Sequence, residues 1–573
     1  MKKLDIGNSD FKSIIENNNY YVDKSLLIQE VIDTQKQVLL IPRPRRFGKT
    51  MNLLMLKYFF ENGKPENEKL FMNLDIWKTE AEIREKRGKY PVIYLTFKDA
   101  KANTWEVVYK YIVAEIVKIY SKNDYLLEGN LLKQHEKNDF NTILNEKADI
   151  AKYGNSLRQL SEYLHRYHKE KVVILVDEYD TPIQSGYNRY YDDVVPFMRN
   201  LLSGAFKDNL YLYKGAITGI LQISRESIFS GLNNLGVYTV LDNRFSDKFG
   251  FIESEVKQII MDLQVPTEYE EIKKWYDGYN IGNTTDIYNP WSILNYIVEY
   301  QDGFKPYWVN TSSDDLLKES IKHKDATDSR ELILQLINNE PIVKDIYENF
   351  VFTDMDAKKE LIWTLMLFSG YLTIGKKLGI VRYELRIPNY EIKFVFQNII
   401  LDWFEVEVKI LKKLLEDTAN DLVTNQLEKF AEGFKKIIGD TFSYYDTENE
   451  PVVRYALRAT HQPEKVYHSY VLGLLAILSD DYIIRSNRES GEGRYDILMI
   501  PHDKTKNGVV IEIKKIEKKK RESEKRRKER IGKELKSALA QIEENQYYKE
   551  LIEHKVVNII KVPIVFLGKT AYL

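Results

Sequence analysis

Apolar residues in the first third of the chain fall into short dense runs, set between stretches with helical periodicity. Gln37–Pro42 (QVLLIP), Pro91–Phe97 (PVIYLTF), Lys171–Val176 (KVVILV) and Leu210–Ile220 (LYLYKGAITGI) are strand-like, and Met51–Phe60 repeats its apolar positions at helical spacing. Strands that lack polar alternation and are separated by helices are covered on both faces, as in a parallel sheet. The pattern predicts a doubly wound α/β domain over residues 1–285. Tyr276–Asn289, with its Gly, Asn and Asp residues, reads as loop.

The middle, residues 286–445, is mostly helical in pattern. Within it, a helix over Glu360–Leu372 is followed by two strand-like runs, Leu372–Gly375 and Val381–Ile387, around a turn at Lys376–Gly379. A further helix covers Phe394–Val408. Helix, β-wing, helix resembles part of a winged-helix domain, a shape that serves either as a packing module or as a DNA reader. Residues 446–573 look like a separate small α/β domain. It opens with a helix over Glu464–Leu478, continues with strands near Tyr482–Asn487, Arg494–Ile500 and Gly508–Lys514, and ends with a charged helix and a strand at Lys561–Leu567.

Composition narrows the function classes. The 573 residues suit several domains of about 100–200 residues each. Hydrophobic content of 43% and charged content of 30% fit a folded, soluble chain. Net charge is −2, from 84 basic and 86 acidic residues, so any basic surface is local. One local excess stands out: Lys514–Lys536 holds 13 Lys or Arg against 5 Glu. Such a run is either a solvated helix face or a phosphate-contacting surface. With no Cys, the chain has no disulfide, thiolate zinc site, iron–sulfur cluster or Cys nucleophile. No apolar run approaches membrane-spanning length, and the lysines near Met1 precede no apolar segment, so neither a membrane partner nor a secretory signal is expected. A cytoplasmic protein is the default expectation.

The first chemical constellation lies where a strand meets a helix. Arg43-Pro44-Arg45-Arg46-Phe47-Gly48-Lys49-Thr50 occupies the place of a phosphate-binding loop. There Gly48 and the helix N-terminus would offer backbone N–H groups to phosphates, Lys49 would reach the β/γ-phosphates, and Thr50 would hold Mg²⁺ through its hydroxyl. Generic motifs have Gly where Arg43 stands. The strand Val172–Val176 runs into Asp177-Glu178, a Walker B pattern in which Asp177 holds the Mg²⁺ shell and Glu178 polarises water as general base. Thr218 ends the next apolar strand, where a polar side chain can sense the γ-phosphate; Arg45 and Arg46 add charge near the phosphates.

The stretches RPRRFGKT, VDEYDTPI, TGILQISRESIFSGLNNL, WYDGY and YNPWSILN, with Tyr21-Val22-Asp23-Lys24 and Tyr307–Ser313, together resemble the bacterial AAA-ATPase-like family. The resemblance covers about residues 5–315. It implies an ASCE-type P-loop sheet, in which another strand separates the Walker B strand from the P-loop strand, and it implies ATP as cofactor. A non-Gly residue at the first P-loop position is common in that family. Arg225 is a further phosphate or inter-subunit contact on this analogy, and related ATPases often act as multimers, which leaves a homo-oligomer open.

The second constellation is Asp496, Glu512 and Lys514. Glu512 and Lys514 are two apart on one strand and so share a face. The preceding hairpin can bring Asp496 beside them. Two carboxylates and the Ile513 carbonyl make an oxygen site suited to Mg²⁺ or Mn²⁺, with Lys514 orienting the attacking water. The same Glu-x-Lys spacing at Glu271/Lys273 and Glu407/Lys409 lies in helical segments, where residues two apart diverge, and at Glu391/Lys393 it has no strand-borne Asp shortly before it.

The surroundings (Val466-Tyr467-His468, ESGEGRYD at 489–496, Ile511–Lys514 and Ala538–Ile542) resemble the PD-(D/E)XK nuclease domain that usually ends proteins of this ATPase-like family. By that analogy Glu464 adds a third metal-binding carboxylate and Gln541 contacts substrate or metal. His468 is open between catalysis and packing, and the Lys-rich stretch looks like a lengthened helix. The expected architecture is α/β throughout: a P-loop sheet, a helical and winged-helix-like middle, and a nuclease-like end. The expected function is an ATP-regulated, Mg²⁺- or Mn²⁺-dependent nuclease acting on DNA rather than RNA. The alternative is a nucleotide-gated nucleic-acid-binding or signalling module with an inactive nuclease-like domain.

Overall fold

A computed structural model describes the chain apart from residues 1, 224–227, 230, 309–331, 334, 349–359, 403–411, 448–470, 472–473, 487–488, 491–492, 518, 520–521 and 568–569. It divides into two compact units, one of Met1–Ser312 with Val343–Glu391, the other of Ser313–Ile342 with Ile392–Leu573.

The first unit is built on a five-stranded parallel sheet. Its strands are β1 (Val38–Pro42), β2 (Val92–Thr96), β3 (Val172–Asp177), β4 (Leu212–Gly219) and β5 (Leu235–Val237), in the order β2-β3-β4-β1-β5. All four pairings are parallel. β1 and β3 are buried at every position, which is why their sequences show no alternation. β4 separates the P-loop strand from the Walker B strand, as the family resemblance implied. Helix α1 (Lys49–Phe60) follows β1 directly. Helices α2 (Trp105–Lys122), α3 (Ile150–His168) and α4 (Tyr191–Phe206) cover the sheet. α3 shows how they form: Asp149 caps it by accepting from Lys152 N, and Tyr153, Leu157, Leu160 and Leu164 make one buried stripe.

Residues 276–289, read as loop from composition, instead hold a hairpin. β7 (Tyr279–Ile281) and β8 (Thr284–Tyr288) pair antiparallel, and β8 also pairs with β6 (Phe251–Ile252). Ile281 faces Thr284 across the two-residue turn Gly282-Asn283, with Gly282 at φ 54°. A Gly-Asn pair between apolar positions favours such a turn. Helix α5 (Pro290–Val298) follows, with Pro290 in its first turn and the Asn289 side chain accepting from Trp291 N and Ser292 N.

A second three-stranded sheet joins β9 (Ile342–Asp345), β10 (Thr373–Lys377) and β11 (Arg382–Arg386), ordered β10-β11-β9. The hairpin β10–β11 lies between helices α6 (Leu361–Ser369) and α7 (Tyr390–Asp402), so the helix–wing–helix order is present.

The second unit centres on a mixed sheet. β12 (Tyr482–Ser486), β15 (Ile497–Pro501), β16 (Gly508–Ile516), β17 (Ile559–Leu567) and β18 (Thr570–Tyr572) follow in that order. A small hairpin, β13 (Glu489–Ser490) and β14 (Gly493–Arg494), stands apart from it. β16 pairs antiparallel with β15 and parallel with β17. The β16–β17 crossover contains helix α8 (Glu524–Glu544), which buries Ile531, Ala538 and Ile542. Tyr495, Leu498, Ile500 and Val510 pack with Ile542 and Tyr547 in the core beneath it. Among the described residues, no helix is long and apolar enough to cross a membrane.

Candidate functional site

The phosphate-loop constellation converges at the C-terminal ends of β1, β3 and β4. Gly48 stands at the N-cap of α1 with φ 81°, a conformation only glycine adopts cheaply. Asp177 is fully buried. Its two oxygens accept from Thr50 Oγ1 and Thr218 Oγ1, both at 2.7 Å. Burial pushes the Asp177 carboxyl upward, against the pull of those two hydroxyls. A buried carboxylate beside the Thr50 hydroxyl, satisfied only by neutral donors, fits a divalent cation. Lys49 is also buried, and its Nζ donates to the carbonyls of Arg43 (3.1 Å) and Pro44 (3.0 Å) of its own loop. Burial lowers its pKa, opposed by Glu178 and Asp177. An ammonium held by loop carbonyls, with no carboxylate among the described residues in contact, fits an anionic phosphate.

Glu178 has φ 52°, a left-handed backbone that is uncommon outside glycine and occurs at functional sites. Its Oε2 accepts from Thr181 Oγ1 at 3.4 Å. Arg46 is exposed, with its guanidinium 4.0 Å over the Trp291 ring. The carbonyl of half-buried Arg45 accepts from Asn289 Nδ2 (3.2 Å) and Trp308 Nε1 (3.4 Å). Arg43, in the place of the generic glycine, is fully buried. It donates to the carbonyls of Pro42, Tyr238 and Phe245 at 2.7–3.1 Å, and burial lowers its pKa to about 9. Arg225 lies outside the described residues.

Two acids were not singled out by the sequence. Asp180 is buried and accepts from Ile220 N (2.9 Å) and Leu221 N (2.8 Å), so it fixes the loop after β4. A Cβ at Gly219 would collide with its carboxylate. The second D of VDEYD was the available signal. Glu391, noted only for its spacing to Lys393, is buried and accepts from Ser292 Oγ (2.7 Å) and Trp308 N (2.6 Å). Through Trp308 it belongs to the network that holds the Arg45 carbonyl. Nothing in its sequence context marks that role.

The second constellation is assembled on β15 and β16. Ile497 faces Ile511, so Asp496 and Glu512 stand opposite one step further along, on one face. Asp496 Oδ2 accepts from Ile513 N at 2.6 Å. Lys514 Nζ is 3.0 Å from Glu512 Oε1 and also donates to Gln541 Oε1 of α8. Gln541 in turn donates to the Tyr547 hydroxyl at 2.9 Å. Glu512 is 3% exposed, and its Oε2 has no hydrogen-bond partner among the described residues. Burial, then the Asp496 charge, pushes its carboxyl up to about 7, against Lys514. A buried orphan oxygen beside a second carboxylate fits a hard divalent cation. Among the described residues there is no group of three or more Asp, Glu or His placed to hold a metal, and Asp496 and Glu512 are the two carboxylates described at this site. Glu464 and His468 lie outside the described residues.

Comparison with known proteins adds relatives. An uncharacterized protein in the vnfD 5′ region of Azotobacter chroococcum mcd 1 is 27% identical over 510 residues, covering 87% of each chain. Among solved structures, the Walker-type ATPase PABY2304 of Pyrococcus abyssi matches at TM-score 0.34 and 15% identity, over 65% of this chain and 94% of that one. The ORC2 protein of Aeropyrum pernix matches at 0.22 and 10%, over 69% and 95%. Residues 5–229 match the family model described as a predicted AAA-ATPase. Residues 462–573 match that of the PD-(D/E)XK nuclease superfamily. The chain thus carries a predicted AAA-ATPase domain at its N-terminus and a PD-(D/E)XK nuclease domain at its C-terminus.

Proposed function

We propose that the protein is an ATP-binding, divalent-metal-dependent nuclease that hydrolyses phosphodiester bonds of DNA under the control of its N-terminal domain. The observation that carries this is the Glu512 side chain: one oxygen lies 3.0 Å from the Lys514 amine, the other is buried without a partner among the described residues, and Asp496 stands opposite. Asp496 and Glu512 would hold Mg²⁺ or Mn²⁺, which would supply charge neutralisation and acidity for phosphodiester hydrolysis. The Ile513 N–H fixes Asp496. Lys514, held between Glu512 and Gln541, donates toward the attacking water.

In the first domain, Gly48, Lys49 and Thr50 would hold the triphosphate of ATP with its Mg²⁺. Asp177 orients the Thr50 hydroxyl, Thr218 steadies Asp177, and Glu178 polarises water. Arg45 and Arg46 add positive charge at the rim. A cytoplasmic setting, DNA in preference to RNA, and a homo-oligomer accord with this reading.

The test is cleavage of linear DNA, circular DNA and RNA in Mg²⁺ or Mn²⁺, with and without ATP. Asp496→Ala and Lys514→Ala are expected to lower the cleavage rate by about 10²-fold or more. Lys49→Ala and Glu178→Gln should retain metal-dependent cleavage and lose its response to ATP. Identical products at identical rates from the wild type and Asp496→Ala would leave the alternative, a nucleotide-gated binding module with an inactive nuclease-like domain.

A further inference from the structure

Helix α8 presents a row of cations that the hydrolytic site does not use. Its buried stripe is Ile531, Ala538 and Ile542. Gln541, which reaches Lys514, stands on one flank of that stripe. Steps of three and four residues back from Gln541 lead to Glu534, Lys533, Arg530, Arg527 and Arg526, so this flank carries four cations and one acid, with Glu534 facing Arg530. Arg526, Arg527 and Lys533 are exposed. Arg530 is committed elsewhere: it pairs with Glu522 at 2.8 Å and donates to the Glu517 carbonyl at 2.9 Å, tying the start of the helix to the end of β16. The direction of the helix away from Lys514 is therefore fixed at both ends. Lys525, Lys528 and Lys536 fall on the opposite flank.

At about 1.5 Å per residue, Lys533 lies about 12 Å and Arg527 about 21 Å from Gln541 along the axis. With about 3.4 Å per base pair, that is a reach of about six base pairs beyond the scissile bond. A cationic row of this length on a chain of net charge −2 matches the uniform negative charge of a nucleic-acid backbone.

We propose that the Gln541 flank of α8, through Arg526, Arg527 and Lys533, is a phosphate track that seats the DNA backbone on one side of the cleavage point. The inference rests on the nuclease reading above and specifies where its substrate lies.

The test uses the full chain carrying Asp496→Ala, so that a labelled 30-base-pair duplex stays intact. Its affinity is measured from 50 to 200 mM salt. Arg526→Gln/Arg527→Gln/Lys533→Gln is expected to weaken binding about tenfold or more and to reduce the slope of log affinity against log salt by about 2.7, for three lost phosphate contacts. Lys525→Gln/Lys528→Gln/Lys536→Gln removes the same charge from the far flank and should change both far less. The three single variants on the track repeat the measurement with one charge each, should the triple fail to fold.

Equal losses from the two triples, or none from either, would overturn the track. So would binding to phosphatidylserine vesicles that falls with the track triple while duplex affinity holds. Cleavage by the wild type, measured separately, decides the nuclease reading. A chain that binds through the track but does not cleave keeps the track and loses the nuclease. One that cleaves with an unaltered salt slope in the triple does the reverse.

Discussion

Burial and the Asp496 charge push the Glu512 carboxyl up to about 7, and this makes stability depend on pH in a defined direction. Unfolded, the group titrates near the ordinary carboxylate value of about 4.3. Between those values the native chain binds more protons than the unfolded one, so stability falls as pH rises through that window. In chelated protein, melting is expected to be higher at pH 5 than at pH 8, with a Glu512 contribution on the order of 2 kcal/mol. Glu391 and Asp277, both raised to about 7 mainly by burial, add to the same slope. The difference between wild type and Glu512→Gln isolates this one group; equal slopes would show that Glu512 is not the buried acid described. Metal-dependent cleavage should run the opposite way, rising with pH as Glu512 ionises.

A second residue-level expectation concerns Thr218. Thr218→Val keeps the shape and removes the hydroxyl at 2.7 Å from Asp177, leaving a buried carboxylate oxygen without a donor. Denaturant unfolding is expected to show a loss of about 2 kcal/mol, smaller with Mg²⁺ and ATP present. A variant as stable as the wild type would remove Thr218 from the site. The positions of Asp496, Glu512 and Lys514 were legible because strand geometry has a period of two and a hairpin has few registers. Glu391 was not, because its function depends on Ser292 and Trp308, which are distant in sequence.

At the scale of elements, the buried strands announced themselves by uninterrupted apolar runs, and the family resemblance implied the one strand that stands between the P-loop strand and the Walker B strand. The hairpin of β7 and β8 was missed because Asn, Thr and Asp outweigh its few buried residues, Tyr279, Ile281, Ile287 and Tyr288. The phosphate loop shows a different limit. Sequence marks Arg43 as a departure from the generic motif, but not which way the side chain turns. Its guanidinium bonds three carbonyls beneath the loop, so it acts as an internal brace. Restoring the generic residue with Arg43→Gly should therefore not improve nucleotide binding. It is expected to cost about 3 kcal/mol or more, read by denaturant unfolding, because buried carbonyls lose charged donors. Unchanged stability with tighter nucleotide binding would show that Arg43 merely occupies a glycine's place.

For the whole molecule, the division into two compact units, each with its own sheet and core, separates the two ligand chemistries. Distinct cores allow distinct unfolding transitions. A ligand that binds only one folded unit raises the transition of that unit, by about 2.7 kcal/mol at a hundredfold excess over its dissociation constant. Since both proposed sites would take divalent metal, Mg²⁺ alone would not tell them apart. Nucleotide added at constant Mg²⁺ would. Calorimetry should show ATP raising one transition in the wild type and in Asp496→Ala, and raising none in Lys49→Ala, whose ammonium is held at the loop carbonyls. If the ATP shift survived Lys49→Ala, the nucleotide would bind somewhere other than the loop before α1, and control of the nuclease from that loop would fail with it. If the shift instead vanished in Asp496→Ala, the triphosphate would be bound at the β15–β16 carboxylates, and the two-site reading of the chain would collapse into one.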